Sequence, residues 1–268
     1  MKNKVVIITG ATSGIGNACA RYFAQQGCNI VIAARNEEKL NKIGNELSSL
    51  YGNCLAVTTD VAIEADCKNL IQKTIEIYGC VDILINNAGI SMRALLNDVS
   101  LSVMHQVMDI NFWGTVNCTK HALPYLLKSK GSVVGVSSIA GKKGLPARCA
   151  YSASKFAMEG FLESLRIENL KNNLHVLVVA PGYTASNIRN TALNKDGHQQ
   201  EESPLDESKL MKPEAVAYEI YNAVLYRKRD LVLTTNGKLT VWLNKFFPSW
   251  MDKIVYNFVA KEPDSPFK

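Results

Sequence analysis

Six short apolar segments alternate with helical patterns along most of the chain, and this alternation restricts the possible folds more than any other feature. The segments are rich in Val, Ile, Leu and Ala and lie at 5–8, 29–33, 55–59, 81–85, 133–136 and 176–180. Segments that are apolar on both faces indicate strands of a parallel sheet covered by helices. A seventh segment follows at 231–233. We therefore predict an α/β fold with a doubly wound parallel sheet of about seven strands flanked by helices.

Composition and charge are ordinary for a globular protein. Apolar residues make up 47% and charged residues 20% of the 268 residues, enough for one large α/β domain or two small ones. The net charge of +6 is not gathered into a long basic run. Nucleic acid is therefore not predicted as a partner.

The seven cysteines are scattered and form no CxxC pair, which favours a reducing compartment and free thiols. The four histidines are also dispersed, so no metal site is predicted. We find no signal-peptide pattern and no apolar run of ~18 residues, the length that a membrane span requires. A cytoplasmic location is expected, with membrane association through the C-terminal tail left open.

A glycine-rich turn, Thr9-Gly10-Ala11-Thr12-Ser13-Gly14-Ile15-Gly16, follows the first strand and precedes a helical pattern. Gly10 permits a tight turn, Gly14 lets the backbone approach a pyrophosphate, and Gly16 lets the helix pack closely on the strand. The helix N-terminus then offers free N–H groups to the phosphates. The turn predicts nucleotide binding; the alternative is a glycine turn without a ligand.

Two residues after strand ends bear on which nucleotide binds. An NAD-selective fold usually has an acidic residue at the end of the second strand, but here Ala34 is followed by Arg35. A guanidinium suits a 2′-phosphate, so we favour NADP(H) over a surface arginine that caps the next helix. Asp60, at the end of the third strand, suits the adenine amino group or the cap of a helix that begins near Ile63.

Tyr151 and Lys155 are four residues apart and share one face of a predicted helix. A fixed ammonium one turn away favours the phenolate and is expected to lower the pKa of the tyrosine. Such a pair can exchange a proton with a substrate. Ser137 and Ser138, at the end of the fifth strand, offer a hydroxyl to a carbonyl oxygen. The alternative is a solvated helix face.

Two further features lie between the fourth and fifth strands. Asn86-Asn87-Ala88-Gly89 follows the fourth strand and suits a backbone running past a cofactor, or an ordinary turn. A long helix is predicted over 102–128, with Asn111 in its interior. Asparagine is a poor helix former, so a buried Asn111 would hold a water or kink the helix; a solvated face is the alternative.

The C-terminal third carries a polar loop and an aromatic tail. Residues 184–208 have little periodicity and form a long connection, which predicts a mobile substrate loop. The tail interleaves aromatic residues with lysines. It suits an amphipathic helix packed on its own domain, a wall of a lipophilic pocket, a subunit interface or a membrane surface.

These motifs, with Pro181-Gly182 after the sixth strand, resemble those of the short-chain dehydrogenase/reductase family in order and spacing. The resemblance covers about residues 4–235 and implies a Rossmann-like domain over 1–235, with 236–268 as an extension of the same domain. It also implies a nicotinamide-dependent carbonyl reductase or alcohol dehydrogenase that works as a homodimer or homotetramer. The runner-up is a catalytically silent NADP(H)-sensing or scaffold protein with the same fold.

The resemblance also implies a role for each site residue. Tyr151 is the general acid/base, Lys155 lowers its pKa and binds the nicotinamide ribose, Ser138 orients the substrate carbonyl, and Asn111 holds a water in a proton relay. Thr184 and Ser186 depart from the family pattern, and either hydroxyl is a candidate for anchoring the carboxamide. The implied cofactor-binding residues are Gly10, Thr12, Ser13, Gly14, Ile15, Gly16, Arg35, Asp60, Val61, Asn87, Ala88, Gly89, Tyr151, Lys155, Pro181, Gly182, Thr184 and Ser186.

The substrate implied by the resemblance is a small-molecule carbonyl or secondary alcohol. Family members with comparable tails make a hydrophobic ketone plausible, such as a 3-oxoacyl chain, a keto-sphingoid base or a steroid.

Overall fold

The computed structural model describes residues 1–200, 206, 210–262 and 265–267. Within these residues one sheet contains seven parallel strands. The strands are β1 (Val5–Thr9), β2 (Asn29–Ala34), β3 (Cys54–Thr58), β4 (Ile83–Asn86), β5 (Ser132–Val136), β6 (His175–Ala180) and β7 (Asp230–Val232). Their spatial order is β3-β2-β1-β4-β5-β6-β7, so the strand order reverses between β1 and β4. The predicted doubly wound parallel sheet is confirmed.

Helices cover both faces of this sheet. They are α1 (Gly14–Gln25), α2 (Glu37–Tyr51), α3 (Glu64–Tyr78), α4 (Leu101–Met108), α5 (Gly114–Ser129), α6 (Cys149–Glu168), α7 (Pro213–Leu225), α8 (Thr235–Phe246) and α9 (Pro248–Ala260). The buried side chains of α1, α2 and α7 belong to one apolar core, and those of α3, α5 and α6 belong to another.

The first strand shows why its sequence is apolar throughout. All five residues of β1 are buried. Val6 and Ile8 enter the core beneath α1, whereas Val5 and Ile7 enter the core beneath α3. Because successive side chains of a strand point to opposite faces, a sheet covered on both faces needs apolar residues at every position.

The helix predicted over 102–128 is not a single α-helix. It begins as α4, passes through a π-helical turn at Asp109–Trp113 and continues as α5. A π-turn inserts one extra residue into the helix and is frequent at functional sites. Here it contains Asn111, so of the alternatives for this residue the structure supports a local distortion of the helix.

Smaller boundary differences occur elsewhere. The seventh strand begins at Asp230, one residue earlier than predicted, and β2 extends to Ala34. The tail consists of two helices instead of one, because Pro248 cannot continue the α8 hydrogen-bond ladder and instead opens α9 at its first turn.

The predicted mobile loop at 184–208 lies partly outside the described residues, since 201–205 and 207–209 are not described. Its described part is attached to the domain by isolated bridges, including Thr184 with Met211 and Met92 with Leu193. Its mobility stays a prediction. Among the described helices, none has the length and apolar content needed to cross a bilayer.

Candidate active site

The end of β5 and the start of α6 bring Ser138, Tyr151 and Lys155 together. Ser138 caps a short 3₁₀ turn, where its hydroxyl accepts a hydrogen bond from Ala140 N at 3.1 Å. The same hydroxyl is close enough to the phenol of Tyr151 to act on its pKa in the lowering direction. Lys155 lies one helical turn beyond Tyr151, with its Nζ 5.8 Å from the tyrosine ring centroid. The three side chains predicted to carry the chemistry therefore form one cluster.

The ammonium group of Lys155 is buried in this cluster. Its Nζ donates a hydrogen bond of 2.8 Å to the backbone oxygen of Val136, the last residue of β5. Burial disfavours the charged form and lowers the pKa of Lys155 to about 8, while the negative charge of Glu159 acts in the opposite direction. Lys155 therefore titrates close to physiological pH.

The pKa of Tyr151 departs from the prediction. The sequence argument expected the ammonium of Lys155 to lower it, but in this structure the pKa is raised, because burial disfavours the phenolate. The Ser138 hydroxyl and the positive charges of Arg148 and Arg189 act in the lowering direction without overcoming burial. Tyr151 therefore holds its proton at neutral pH.

Asn111 is fully buried in the π-turn, so the alternative of a solvated helix face is wrong. Its Oδ1 accepts from Ile90 N at 2.8 Å, and its Nδ2 donates to Ile90 O and to Ser154 Oγ, both at 2.9 Å. Ser154 Oγ in turn donates to the backbone oxygen of Tyr151 at 2.7 Å. Asn111 thus joins the loop after β4 to α6; its role in holding a water stays a prediction.

The glycine turn is shaped by close backbone contacts. Gly10 and Gly14 both have positive φ, at 66° and 52°. A Cβ on Gly10 would lie 2.8 Å from the Cα of Ala88, and a Cβ on Gly16 would overlap the Asn87 side-chain nitrogen and the Gly10 oxygen. Larger residues at these positions would separate β1, α1 and the loop after β4.

Asn87 and Thr9 fix the loop after β4 against this turn. The Asn87 side chain donates to Thr9 O at 2.9 Å and to Gly10 O at 3.2 Å. The hydroxyl of Thr9 accepts from the backbone N–H groups of Asn87 and Ala88 at 3.1 and 3.0 Å. Sequence analysis did not single out Thr9; a buried threonine at the end of a central strand was the available signal.

A cleft of about 730 Å³ opens above these contacts, at the carboxyl ends of the strands where the strand order reverses. It contains twelve of the residues predicted to hold a cofactor. They are Gly10, Thr12, Ser13, Gly14, Ile15, Arg35, Asp60, Val61, Asn87, Ala88, Gly89 and Ser186. Its volume lies within the range of cofactor sites, ~300–1,000 Å³.

Gly89 connects the cleft to the catalytic cluster. A Cβ built on Gly89 would lie 3.1 Å from Asn111 Oδ1 and 3.5 Å from Lys155 Nζ. The cleft wall and the buried ammonium are therefore neighbours. A molecule that lies along the cleft and reaches Gly89 also reaches the vicinity of Lys155.

The two candidates for the adenine end of a cofactor also line the cleft. Arg35 is exposed just after β2 and lines the cleft together with Asp60. The carboxylate of Asp60 accepts from Ala62 N at 3.0 Å, whereas α3 begins at Glu64 without a side-chain cap. The alternative that Asp60 caps this helix is therefore wrong.

The loop after β6 separates the two candidate hydroxyls. Thr184 is buried and donates to the Gly182 oxygen at 3.2 Å, outside the lining of the cleft. Ser186 lines the cleft, and its Cβ lies 3.2 Å from where a Cβ on Gly14 would be. Pro181 is buried, and its oxygen accepts from Ile139 N at 3.3 Å beside the Ser138 turn.

Sequence analysis missed a buried ionic cluster beside the site. The carboxylate of Glu262, near the end of the chain, is 3.1 Å from Arg93 Nη2 in the loop after β4. It also accepts from Arg148 Nη2, at 3.1 and 3.3 Å, and Arg148 precedes α6 directly. Isolated charges so far apart in sequence carry no local signal. The cluster joins the C-terminal segment to the helix that carries Tyr151.

Comparison of the sequence with known proteins agrees with the family resemblance of its motifs. A family model described as short chain dehydrogenase matches residues 4–197. The "Dehydrogenase/reductase SDR family member 7B" of Mus musculus is 35% identical over 271 residues, covering 99% of this chain and 84% of that protein. The "Dehydrogenase/reductase SDR family protein 7-like" of Dictyostelium discoideum is 34% identical, covering 97% of this chain and 83% of that protein.

Solved structures share the fold. An alcohol dehydrogenase from the archaeon Thermococcus sibiricus, complexed with 5-hydroxy-NADP, superimposes with a TM-score of 0.76 at 25% identity, covering 87% of this chain and 96% of that one. A short chain dehydrogenase/reductase from Burkholderia phymatum in complex with NAD gives a TM-score of 0.82 at 24% identity, covering 93% and 95%.

The buried ionic cluster predicts a large loss of stability on removal of its carboxylate. We expect Glu262→Ala to lower the free energy of unfolding by about 3 kcal/mol or more, because two guanidinium groups lose their shared buried partner. Urea unfolding measures the change. The matched control is Glu163→Ala, whose pair with Arg229 is more than half exposed and is expected to contribute about 0–1 kcal/mol. Equal losses for the two variants would contradict the prediction.

The lowered pKa of Lys155 predicts a pH dependence of stability. Between its folded pKa of about 8 and its ordinary value of 10.5, the unfolded chain binds more protons at Lys155 than the folded chain does. Stability from this group therefore rises with pH. We expect the unfolding free energy of the wild type, without nucleotide, to gain about 2 kcal/mol over that of Lys155→Met between pH ~7 and ~9.5. A constant difference between the two proteins would refute the assignment.

Proposed function

Because the chain belongs to the short-chain dehydrogenase/reductase family, we propose that it is an NADPH-dependent oxidoreductase that transfers a hydride between the nicotinamide and a carbonyl or secondary alcohol. The observation that carries this proposal is the cluster of Ser138, Tyr151 and Lys155, whose ammonium lies behind Gly89 of the cleft wall. Gly89 joins this cluster to the cleft, so cofactor and substrate can meet there.

The residues of the cleft fit a dinucleotide. The glycine turn leaves no side chain between the backbone and a pyrophosphate at Gly10 and Gly14. Helix α1 begins there with neither a side-chain cap nor an acidic residue in its first turn. Its first N–H groups and the positive end of its dipole are therefore available to phosphate oxygens. Ser186 is the hydroxyl we assign to the carboxamide, since it lines the cleft.

Arg35 supports NADP(H) as the preferred form of the cofactor. It follows β2, where an acidic residue would hold the ribose 2′-hydroxyl of NAD, and it is exposed in the cleft. Its guanidinium can form charge-assisted hydrogen bonds with a 2′-phosphate. Asp60 and Val61, on the neighbouring strand end, flank the adenine.

The chemistry divides between cofactor and protein. The bound nicotinamide supplies or accepts the hydride at the substrate carbon. In the reductive direction, the phenol of Tyr151 gives its proton to the carbonyl oxygen, and the Ser138 hydroxyl donates a hydrogen bond that orients the same oxygen. The ammonium of Lys155 holds the ribose hydroxyls and stabilises the phenolate that remains on Tyr151.

The protonated form of Tyr151 is the form that acts in the reductive direction. A tyrosine buried in this way keeps its proton at neutral pH, which is the form that a general acid requires. The charges of Arg148 and Arg189 limit this rise and so keep proton release possible. Asn111 connects α6 to the loop after β4 and so keeps Tyr151 in a fixed position relative to the cleft.

The surroundings of Tyr151 support a lipophilic substrate. Tyr151 packs against an apolar cluster separate from the two sheet cores. Its buried members are Met92, Ala94, Val99, Val103, Val107, Ala150 and Leu193. Apolar walls with a few polar groups are the usual construction of a small-molecule site. This apolar neighbourhood of Tyr151 is our reason for proposing a 3-oxoacyl, keto-sphingoid or steroid-like ketone as the substrate.

The test follows NADPH oxidation with 3-oxoacyl and keto-sphingoid ketones of increasing chain length and with small diketones. We expect the rate to rise with chain length, because longer chains bury more apolar surface. Tyr151→Phe is expected to lower turnover by about 10²-fold or more, since it removes the general acid, while NADPH affinity stays nearly constant.

Tyr221→Phe is the matched control, because Tyr221 packs against Phe23 on α1, far from the site, and it should retain full turnover. Retention of most of the rate by Tyr151→Phe would rule out the proton role. Tight NADPH binding without turnover on any ketone would favour the sensor or scaffold alternative.

Arg35 gives a test of cofactor preference. We expect Arg35→Ala to weaken NADPH binding by about tenfold or more, the loss of charge-assisted hydrogen bonds worth ~1.5–3 kcal/mol, with little change for NADH. Fluorescence titration with both nucleotides measures this. Lys39→Ala removes the same charge from α2 outside the cleft lining and serves as the control. Equal losses of NADPH and NADH affinity in Arg35→Ala would remove the 2′-phosphate assignment.

A further inference from the structure

Helices α8 and α9 present a surface in which aromatic side chains and lysines are exposed together. We propose that this surface docks on a bilayer of anionic phospholipids. Large exposed apolar patches mark interaction sites, and amphipathic helices with basic and aromatic residues bind at the headgroup level. This inference goes beyond the proposed function, since docking needs no turnover.

On α8 the exposed apolar and basic residues share one arc. Lys238, Trp242 and Lys245 follow at intervals of four and three residues, and Phe246 lies four residues beyond Trp242. Trp242 and Phe246 are 57% and 56% exposed, with their rings in contact at 5.3 Å. The Nζ of Lys245 lies 6.0 Å from the Phe246 ring centroid.

On α9 the same arrangement recurs. Trp250, Lys253, Ile254, Phe258 and Lys261 fall on one arc at helical spacing, and all five are exposed. Trp250 is 54% exposed. Helix α8 therefore carries two lysines beside its exposed apolar residues, and α9 carries Lys253 with Lys261 at its C-terminal end.

The acidic residues of this segment are directed elsewhere. Within residues 235–262 the two carboxylates are Asp252 and Glu262. Asp252 has an exposed side chain, but it lies on the side of α9 opposite to Trp250 and Ile254 and pairs there with Lys143. Glu262 is buried between Arg93 and Arg148. The exposed arcs of α8 and α9 are thus purely basic in charge, which matches an anionic surface.

Charge also decides between a bilayer and a second copy of the chain. A symmetric dimer built on this surface would bring the basic arcs of both copies together, without carboxylates on the arcs to pair with their lysines. Like charges in a desolvated interface are unfavourable. An anionic bilayer instead attracts each lysine and accepts the aromatic rings among its headgroups.

Contacts with the catalytic region give this docking a consequence, which rests on the proposed function. Asn244 of α8 donates to the Lys142 oxygen at 3.1 Å, four residues beyond Ser138. Phe258 of α9 stacks on Tyr183 at 5.9 Å, in the loop that leads to Ser186. A docked protein would therefore hold the walls of its active site close to the lipid that supplies a lipophilic ketone.

The test is flotation of the full chain with vesicles of phosphatidylcholine alone or with about 30% phosphatidylserine. We expect binding to the anionic vesicles and much weaker binding to the neutral ones. Raising salt from about 0.1 to 0.5 M should release most of the protein, because the Debye length shortens. In a Trp113→Phe background, emission from Trp242 and Trp250 should shift to shorter wavelength on binding.

Variants separate the two contributions. Lys238→Gln with Lys245→Gln should weaken binding by about fivefold per lysine, and Trp242→Ser with Trp250→Ser should abolish the flotation. The control pair is Leu170→Ser with Lys171→Gln, an exposed apolar and basic pair that precedes the amino end of β6, whereas α8 follows the carboxyl end of β7. This control should bind like the wild type.

Three outcomes would overturn the proposal. The first is failure to float with anionic vesicles while NADPH binding shows that the protein is folded. The second is equal loss of binding in the control pair. The third is a wild-type protein that binds no vesicles but forms a dimer in solution, which the Trp242 and Trp250 substitutions dissociate into monomers. That result would assign the surface to a second copy of the chain. None of these depends on finding the substrate, so they leave the proposed function untouched.

Discussion

The hydrogen bonds of Asn111 are the contact on which the geometry of the site depends. One buried amide holds both backbone groups of Ile90 and the hydroxyl of Ser154, which in turn holds the backbone oxygen of Tyr151. The cleft side and the catalytic helix are thereby joined through a third element. A straight α-helix would place this side chain differently. The π-turn at Asp109–Trp113 inserts an extra residue, and this turn carries the Asn111 side chain that bonds to both Ile90 and Ser154. A buried amide has this effect because leaving its groups unpaired is so unfavourable.

The second constraint is the closeness of backbone to backbone around the glycine turn. Gly10 and Gly16 leave no room for a Cβ, since the loop after β4 and the turn itself occupy that space. The hydroxyl of Thr9 and the amide of Asn87 then fill the hydrogen-bonding needs of this crowded junction. The cleft thus has a rigid floor, formed where the strand order reverses.

How far the sequence predicts this structure depends on how local each signal is. The strands are predictable because β1 and its neighbours are apolar on both faces, and the glycine turn because its spacing is contiguous. Tyr151 and Lys155 are predictable for the same reason, being one helical turn apart. The direction of the pKa shift of Tyr151 was not predictable, because it depends on how deeply the phenol is buried. The spacing of Tyr151 and Lys155 in the sequence gives no information on burial. Glu262 was missed because its partners, Arg93 and Arg148, meet it only through tertiary packing.

Lys155 shows what the protein leaves for a ligand to complete. Its ammonium is buried and donates to the oxygen of Val136, yet no carboxylate of the described chain forms an ion pair with it. Glu159, one turn further along α6, is held at 2.6 Å by Lys142 and at 2.7 Å by Ser137, so its charge is largely compensated elsewhere. A buried ammonium with spare donors and a lowered pKa favours whatever brings acceptors to it. Under the proposed function, the ribose hydroxyls of the cofactor and the tyrosinate formed on Tyr151 would be such acceptors beside Gly89. Filling the site would then relieve the unfavourable burial of this charge and would couple cofactor binding to proton release from Tyr151.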